Sequence, residues 1–197
     1  MPVQNVYPTP IYYSVVNNFD VIQEEIKESL VKTSLKMKEG WGNTHYLSTT
    51  NFQDNYIVDN NLSNFFGEII THVKEYCKEI GCNSSSFEIY QSWISLFKKG
   101  NYGHIHNHGS SDMSGVYYHK TNGKDGDIFF EPANPFLQTS DCYRNLSGRF
   151  VHPPEEGKII LFPGWMKHGI LTNTTDNTRI SISFNINFPR SSIELNE

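Results

Sequence analysis

The sequence predicts an α+β protein in which a β-sandwich or jelly roll is buttressed on one face by N-terminal helices. Two amphipathic helical patterns come first along the chain. At least six short β-branched and aromatic runs follow without helices between them, and Gly, Pro and Asn punctuate these runs. Many short strands in succession are typical of antiparallel sandwiches and barrels. Helices followed by such strands indicate the α+β class.

The two helical patterns have apolar residues at helical spacing. The first covers residues 17–40, with Asn18 or Asp20 as the residue that caps its start. The second covers residues 61–82 and is expected to end at Gly81. We therefore expect two helices that each bury one face.

The strand-rich part begins after residue 85 and shows no break in composition from the part before it. Residues 3–15 are predicted to be extended. We therefore expect a single domain over residues 1–197, with a helical part over about 1–84 and a jelly-roll core over about 85–190. The predicted core strands lie in the segments SFEIYQSWISLFKK, SDMSGVYYHK, GDIFFEP, GKIILFP, GILTN and TRISISFNINF.

Composition excludes several classes of protein. The chain has 197 residues, a net charge of −5 and a hydrophobic fraction of 37%, which is too apolar for disorder. No run approaches the roughly 18 apolar residues of a membrane span, and the acidic balance gives no footprint for nucleic acid. The first residues lack the pattern of a signal peptide, so a cytoplasmic location is expected. The spacing of the three cysteines fits no zinc site. Whether the chain forms a homo-oligomer stays open at the level of sequence.

Histidines are concentrated in the segment GHIHNH, where His104, His106 and His108 alternate. Alternate residues of a strand point to the same face, so a strand here would direct these imidazoles together. A further ligand has to come from another strand, and His168 in FPGWMKHGILTN is the candidate. A hairpin with its tip around residues 173–178 would bring His168 close to the next strand.

That next strand carries a second polar pattern. Arg179, Ser181, Ser183 and Asn185 share one face by parity, and isoleucine and phenylalanine occupy the other. A guanidinium with a hydroxyl two residues away is a good receptor for a carboxylate, because it offers a bidentate pair and a third hydrogen bond. We therefore expect this face to bind an anionic ligand inside the jelly roll.

Together these motifs resemble the 2-oxoglutarate/Fe(II)-dependent dioxygenases, a superfamily built on a double-stranded β-helix. The closer resemblance is to small prolyl-hydroxylase-like oxygenases of bacteria and their phages. The motifs that carry it, in order, are HNH at 106–108, SGVYY at 114–118, GDIFFEP at 126–132, FPGWMKH at 162–168 and RISISFN at 179–185. The resemblance covers about residues 90–188.

The resemblance implies a metal site. His106 and His168 resemble the two histidine ligands of the superfamily, and His108 stands where a carboxylate is usual. Three neutral ligands leave the metal charge uncompensated, although imidazole suits iron. Asp112 and His104 are the alternative ligands. No catalytic residue is implied beyond the metal centre itself.

The resemblance also implies the cofactors Fe(II) and 2-oxoglutarate. Arg179 and Ser181 resemble the residues that hold the distal carboxylate of 2-oxoglutarate, and Tyr118 matches an inward tyrosine that helps there. The implied activity is a dioxygenase, a hydroxylase of unknown substrate, with O2 as the other small-molecule partner. If the protein is phage-encoded, its location would be the host cytoplasm.

Two other functions stay open at the level of sequence. A cupin-like enzyme would use three histidines to hold a metal and oxidise a small substrate without 2-oxoglutarate, and Arg179 would then bind the substrate. A non-catalytic jelly-roll binding or virion protein would have no open position on the metal. The Arg179-x-Ser181 pattern favours 2-oxoglutarate over the first of these alternatives.

Overall fold

The strands and helices are taken from a computed structural model of the protein, which describes residues 8–39, 43–48, 54–82, 86–139, 141–146 and 148–189. Eleven strands lie within these ranges: β1 Tyr12–Val15, β2 Lys36–Met37, β3 Tyr46–Leu47, β4 Glu88–Phe97, β5 Gly103–His106, β6 Met113–Lys120, β7 Ile128–Phe130, β8 Phe150–His152, β9 Lys158–Pro163, β10 His168–Ile170 and β11 Arg179–Asn187. The helices of the same ranges are α1 Phe19–Leu30, α2 Tyr56–Asp59 and α3 Ser63–Glu79.

The strands form two antiparallel sheets. The larger has the order β1-β9-β6-β11-β4-β3-β2, and the smaller has the order β5-β10-β7-β8. From β4 onward the chain passes repeatedly from one sheet to the other, as the chain of a jelly roll does. The predicted fold class is confirmed.

The larger sheet lies between the helices and the smaller sheet. One of its faces packs on α1 and α3 through an apolar core that includes Ile182, Phe184 and Ile186 of β11. Its other face packs on the smaller sheet, where Val116 and Tyr118 of β6 contact residues of β7 and β10. The alternation predicted for β11 is therefore real, because its apolar face meets the helices and its polar face points between the sheets.

The prediction for the first helix is wrong at its end. The helix α1 stops at Leu30, whereas the apolar pattern suggested a helix to residue 40. The Lys32 and Thr33 amides bond to carbonyls three residues back, and the Thr33 hydroxyl also bonds to the Ser29 carbonyl. These bonds close the last turn, and the chain then enters β2. The second predicted helix is confirmed as α3.

The N-terminal part is not only helical. It supplies β1, which pairs with β9 at one side of the larger sheet, and β3, which pairs with β4 at the other side. Residues 3–7 of the predicted extended segment lie outside the described residues. The same is true of Gly40, the predicted end of the first helix, and of residue 190, the predicted end of the core. In the described part of the chain, no helix combines the length and apolarity that crossing a membrane requires.

Candidate metal centre and co-substrate pocket

The first two histidines of the candidate site lie where β5 ends. His106 is the last residue of β5, and its Nδ1 lies 2.8 Å from the His104 carbonyl oxygen. His108 lies beyond the strand, so the expectation of three histidines on one strand face is wrong. The His108 backbone N–H donates to the Gly164 carbonyl at 2.7 Å. A turn anchored on the chain before β10 therefore directs His108, rather than strand alternation.

His168 begins β10 and stands opposite His106 in the pairing of β10 with β5. It is buried, and its Nδ1 lies 2.9 Å from the Met166 carbonyl oxygen. A carbonyl can only accept, so Nδ1 carries the proton in both His106 and His168, and Nε2 carries the lone pair. Both rings thus have the tautomer that a metal ligand needs.

The three imidazoles of His106, His108 and His168 converge. One nitrogen from each lies within 4.8 Å of one from the others, and the ring centroids of His106 and His168 are 4.4 Å apart. Burial, followed by the neighbouring histidines, lowers the pKa of His108 to about 3. Burial and His106 likewise lower the pKa of His168 to about 3. The rings are therefore neutral at physiological pH, with lone pairs available to a metal.

Neither alternative ligand belongs to this group of histidines among the described residues. Asp112 is exposed, and its Oδ2 accepts from the Phe188 backbone N–H at 2.8 Å. His104 is also exposed, and its ring meets the edge of Tyr102 with 5.1 Å between centroids. Both side chains are engaged outside the group.

Arg179 reaches the same cavity by a different route from the one expected. The predicted hairpin is wrong, because β10 pairs with β5 and β7 whereas β11 pairs with β4 and β6. The link between β10 and β11 crosses from the smaller to the larger sheet, and residues of both strands line one cavity. Arg179 is 1% exposed and lies at the start of β11.

The Arg179 guanidinium is held on three sides. Its Nη1 donates to the Gly126 carbonyl, and its central carbon lies 4.5 Å from the Phe97 ring centroid and 5.2 Å from that of Tyr118. Burial lowers the pKa of Arg179, and the nearby Asp125 and Asp127 carboxylates oppose this shift. A buried cation is therefore fixed in place, with an aromatic wall on two sides.

Three buried polar atoms here, one of them on this guanidinium, have no hydrogen-bond partner among the described residues. They are Arg179 Nε, the Ser181 hydroxyl and the Tyr118 hydroxyl. Ser181 and Tyr118 stand opposite each other on β11 and β6, so their side chains share one face. Burial raises the pKa of Tyr118 to about 12, which keeps its hydroxyl a donor. Unpaired buried donors cost free energy, so this arrangement fits a bound anion.

One cavity of about 120 Å³ connects the histidines with Arg179 and Ser181. Its wall also contains residues that the sequence analysis did not assign to the site, namely Lys38, His45, Leu47 and Gln91. Trp93 also lines the cavity, with 5.8 Å between its ring centroid and that of His108.

His45 was missed because only the pairing of β3 with β4 brings it to the cavity. Its ring stacks on Phe97 at 4.5 Å with an interplanar angle of 5°, and its Nδ1 lies 2.9 Å from the Thr44 hydroxyl. Burial and the Arg179 charge lower the pKa of His45 to about 4. No local motif marks this residue, so tertiary structure alone reveals it.

Comparison with known families agrees with this geometry. Residues 91–185 match the family model described as "Putative 2OG-Fe(II) oxygenase". This part of the chain is similar to the 2OG-Fe(II) oxygenases that the family model describes. The match falls inside the segment where the motifs resemble that family, and it contains every proposed ligand and anion-binding residue. The cofactors expected from the sequence, Fe(II) and 2-oxoglutarate, are those of this family.

Solved structures of 2OG-Fe(II) oxygenases share the fold. The α-ketoglutarate-dependent epimerase SnoN from nogalamycin biosynthesis is 12% identical with a TM-score of 0.66, covering 91% of this chain and 78% of that chain. A Pseudomonas putida prolyl-4-hydroxylase is 10% identical with a TM-score of 0.59, covering 92% and 94%. HygX from Streptomyces hygroscopicus, solved with nickel, 2-oxoglutarate and hygromycin B, is 10% identical with a TM-score of 0.62, covering 92% and 84%. At sequence identities of this size, the structural similarity establishes the fold alone.

No curated relative matches the chain.

Proposed function

We propose that the protein is an Fe(II)- and 2-oxoglutarate-dependent dioxygenase that hydroxylates a substrate still to be identified. The observation that carries the proposal is the shared cavity. Three convergent neutral imidazoles lie at one place in it. At another place lie the buried Arg179 guanidinium and the Ser181 hydroxyl, and Arg179 Nε and Ser181 Oγ have no hydrogen-bond partner among the described residues. A ligand that chelates a metal at one end and carries a carboxylate at the other matches both features.

In this proposal His106, His108 and His168 hold the iron through one nitrogen each. The carbonyls of His104 and Met166 orient two of these rings by accepting from Nδ1. Iron held there would supply the activation of O2 that is coupled to oxidative decarboxylation of 2-oxoglutarate to succinate and CO2.

Arg179, Ser181 and Tyr118 bind the distal carboxylate of 2-oxoglutarate. The guanidinium neutralises the carboxylate, and the two hydroxyls donate beside it. Because all three groups are buried and already held by Gly126, Phe97 and the sheet, little reorganisation is needed on binding. The aromatic and aliphatic wall excludes water, which strengthens the charged pair.

The experiment that tests the proposal is an anaerobic titration with Fe(II) and 2-oxoglutarate, followed by exposure to air. We expect a weak visible charge-transfer band from the chelate and then succinate, even without a primary substrate. His106→Ala, which removes one ligand, is expected to show neither signal.

The cupin-like alternative predicts a different result. If Arg179 binds the substrate itself, the wild-type protein will bind iron but give no band with saturating 2-oxoglutarate and no succinate in air. A non-catalytic protein will in addition show no O2 consumption with any small substrate. Absence of both band and succinate would overturn the proposal.

A further inference from the structure

The helix α3 ends in a motif that places two cysteines side by side. The Cys82 N–H donates to the Cys77 carbonyl at 2.8 Å, and the Gly81 N–H donates to the Lys78 carbonyl at 3.3 Å. Gly81 has a φ of 73°, which is the left-handed conformation that this helix ending requires. The first and last residues of such a motif bring their side chains into contact, and here both are cysteines.

The two cysteine side chains lie close together. Besides burial, Cys82 is near enough to raise the pKa of the Cys77 thiol, and both side chains pack on the same apolar core. Cys77 is 6% exposed and Cys82 is half-buried, and both are reduced. The third cysteine, Cys142, is exposed and lies in a different part of the chain.

A surface groove gives access to this pair. Both cysteines line it, together with Lys74, Lys78 and apolar side chains such as Phe87. Two cationic side chains beside the thiols favour the approach of an anionic reagent. This groove lies on the helical side of the larger sheet, away from the histidine cavity.

We propose that Cys77 and Cys82 are a site of reversible disulfide formation, with an anionic low-molecular-weight disulfide such as oxidised glutathione as the oxidant. The inference does not depend on the proposed function. It depends on the helix ending, which already holds the two backbones and the two thiols together. A disulfide forms only where two backbones already lie at a suitable distance and orientation. Because the helix ending holds these two residues close together, little backbone movement is needed.

The reaction is two successive thiol–disulfide exchanges. The Cys82 thiolate attacks one sulfur of the oxidant, which forms a mixed disulfide and releases the first thiolate. The Cys77 thiolate then attacks the Cys82 sulfur, which forms the protein disulfide and releases the second thiolate. The two cysteine thiols are oxidised, the oxidant is reduced to two thiols, and the two cysteine protons pass to the released thiolates.

The order of attack follows from exposure. Burial and the neighbouring Cys82 raise the pKa of Cys77 to about 12, which disfavours its thiolate while the partner is reduced. Cys82 is the more accessible sulfur and therefore reacts first. Once Cys82 is a mixed disulfide, Cys77 is the nearest thiol to it.

The test is differential alkylation of the full-length protein after incubation with oxidised glutathione, read by intact mass and peptide mapping. The wild-type protein is expected to lose two alkylatable thiols, to gain no glutathione on these residues, and to give a cross-linked Cys77–Cys82 peptide. Dithiothreitol is expected to restore both thiols. Cys142→Ser is the matched control and is expected to give the same cross-link.

Cys77→Ser removes the resolving thiol and is expected to accumulate the glutathione adduct on Cys82. The wild-type peptide map decides the question even if this variant folds poorly. The proposal is overturned if Cys77 stays alkylatable in denaturant after oxidation, if Cys82 stops at the glutathione adduct in the wild-type protein, or if either residue instead pairs with Cys142.

Discussion

At the scale of single residues, His108 has the largest consequence for the proposed iron site. A histidine stands where the superfamily usually has a carboxylate, so the three ligands are neutral and supply no charge to offset the metal. His108→Asp is expected to keep iron binding and to strengthen it, because a carboxylate adds Coulomb attraction. His108→Ala is expected to weaken it by more than about tenfold, since removing even an outer partner of a ligand costs that much.

The measurement is anaerobic Fe(II) affinity by competition with a chromophoric chelator, in the absence of 2-oxoglutarate. His104→Ala is the matched control, because His104 lies in the same strand but outside the histidine group. If His108→Ala bound iron as tightly as the wild-type protein, His108 would not be a ligand.

Arg179 decides co-substrate binding. A charge-assisted hydrogen bond contributes about 1.5–3 kcal/mol, and a buried carboxylate left unpaired raises the cost of Arg179→Ala to about 3–5 kcal/mol. We expect the 2-oxoglutarate dissociation constant to rise by about two to three powers of ten or more, at about 1.4 kcal/mol per tenfold. Iron affinity without 2-oxoglutarate should stay the same, because Arg179 is not among the convergent histidines.

The affinities can be measured by titrating the charge-transfer band or by calorimetry with a redox-inert metal. Arg149→Ala removes the same formal charge at an exposed ion pair with Glu131 and should leave 2-oxoglutarate affinity unchanged. Equal weakening by both substitutions would indicate a general charge effect and would contradict the assigned role.

At the scale of elements, the turn between β9 and β10 positions His108. A Cβ on Gly164 would lie 2.1 Å from the Ser111 carbonyl oxygen, which is backbone and has to shift as a whole. The Gly164 carbonyl also accepts the His108 N–H. Gly164→Ala is therefore expected to displace His108, to weaken iron binding by about tenfold or more, and to lower the free energy of unfolding by about 1–3 kcal/mol.

Gly67 in α3 provides the control for this substitution. A Cβ there meets nothing within 4 Å, so Gly67→Ala is expected to raise the free energy of unfolding by about 0.5–1 kcal/mol and to leave iron binding unchanged. Urea unfolding and the chelator competition give both quantities. Normal iron affinity in Gly164→Ala would show that the turn does not position His108.

Local pattern predicted the elements better than it predicted their connections. The alternation along β11 identified its two faces, and the stripe of α3 identified its buried side, because both depend only on side-chain period. The hairpin between β10 and β11 was wrong, since the same alternation is compatible with a crossing between sheets. Nothing local distinguishes these two paths.

The shortest elements were not predictable at all. A strand of two residues, such as β2 or β3, is too short to show an alternation of apolar and polar side chains. The sequence therefore could not predict that β3 pairs with β4. His45 enters the cavity wall only through that pairing. The first helix was predicted to be too long for a similar reason. The apolar residue Leu35 continues the helical spacing past the turn at which α1 ends.

At the scale of the whole molecule, buried neutral histidines make stability sensitive to acid. The pKa values of His45 and His119 are lowered to about 4, and those of His108 and His168 to about 3, with burial as the main cause. Between these values and the ordinary 6.5, the unfolded chain binds more protons than the folded protein. The free energy of unfolding is therefore expected to fall as pH decreases below 6.5, by up to about 1.4 kcal/mol per pH unit per histidine.

Urea unfolding of the metal-free protein at several pH values between about 4.5 and 7.5 measures this slope. His119→Gln tests the assignment away from the metal site, since its Nδ1 is buried without a hydrogen-bond partner in the described residues. The substitution should reduce the change in the free energy of unfolding with pH by up to about 1.4 kcal/mol per pH unit, the contribution of one histidine, while iron affinity stays unchanged. A stability that does not change with pH in this range would contradict the expectation.

The alternation of successive strands between the two sheets has a consequence for how the protein folds. Several neighbouring strands come from distant parts of the chain, because β11 lies between β6 and β4, and β10 lies between β5 and β7. Such long-range pairing slows folding, because loops have to close before any contact offsets their entropy. His106 and His168 come together only when β5 and β10 have paired. A metal that these histidines hold would therefore bind the folded chain rather than the unfolded one, and its binding would stabilise the folded state by mass action.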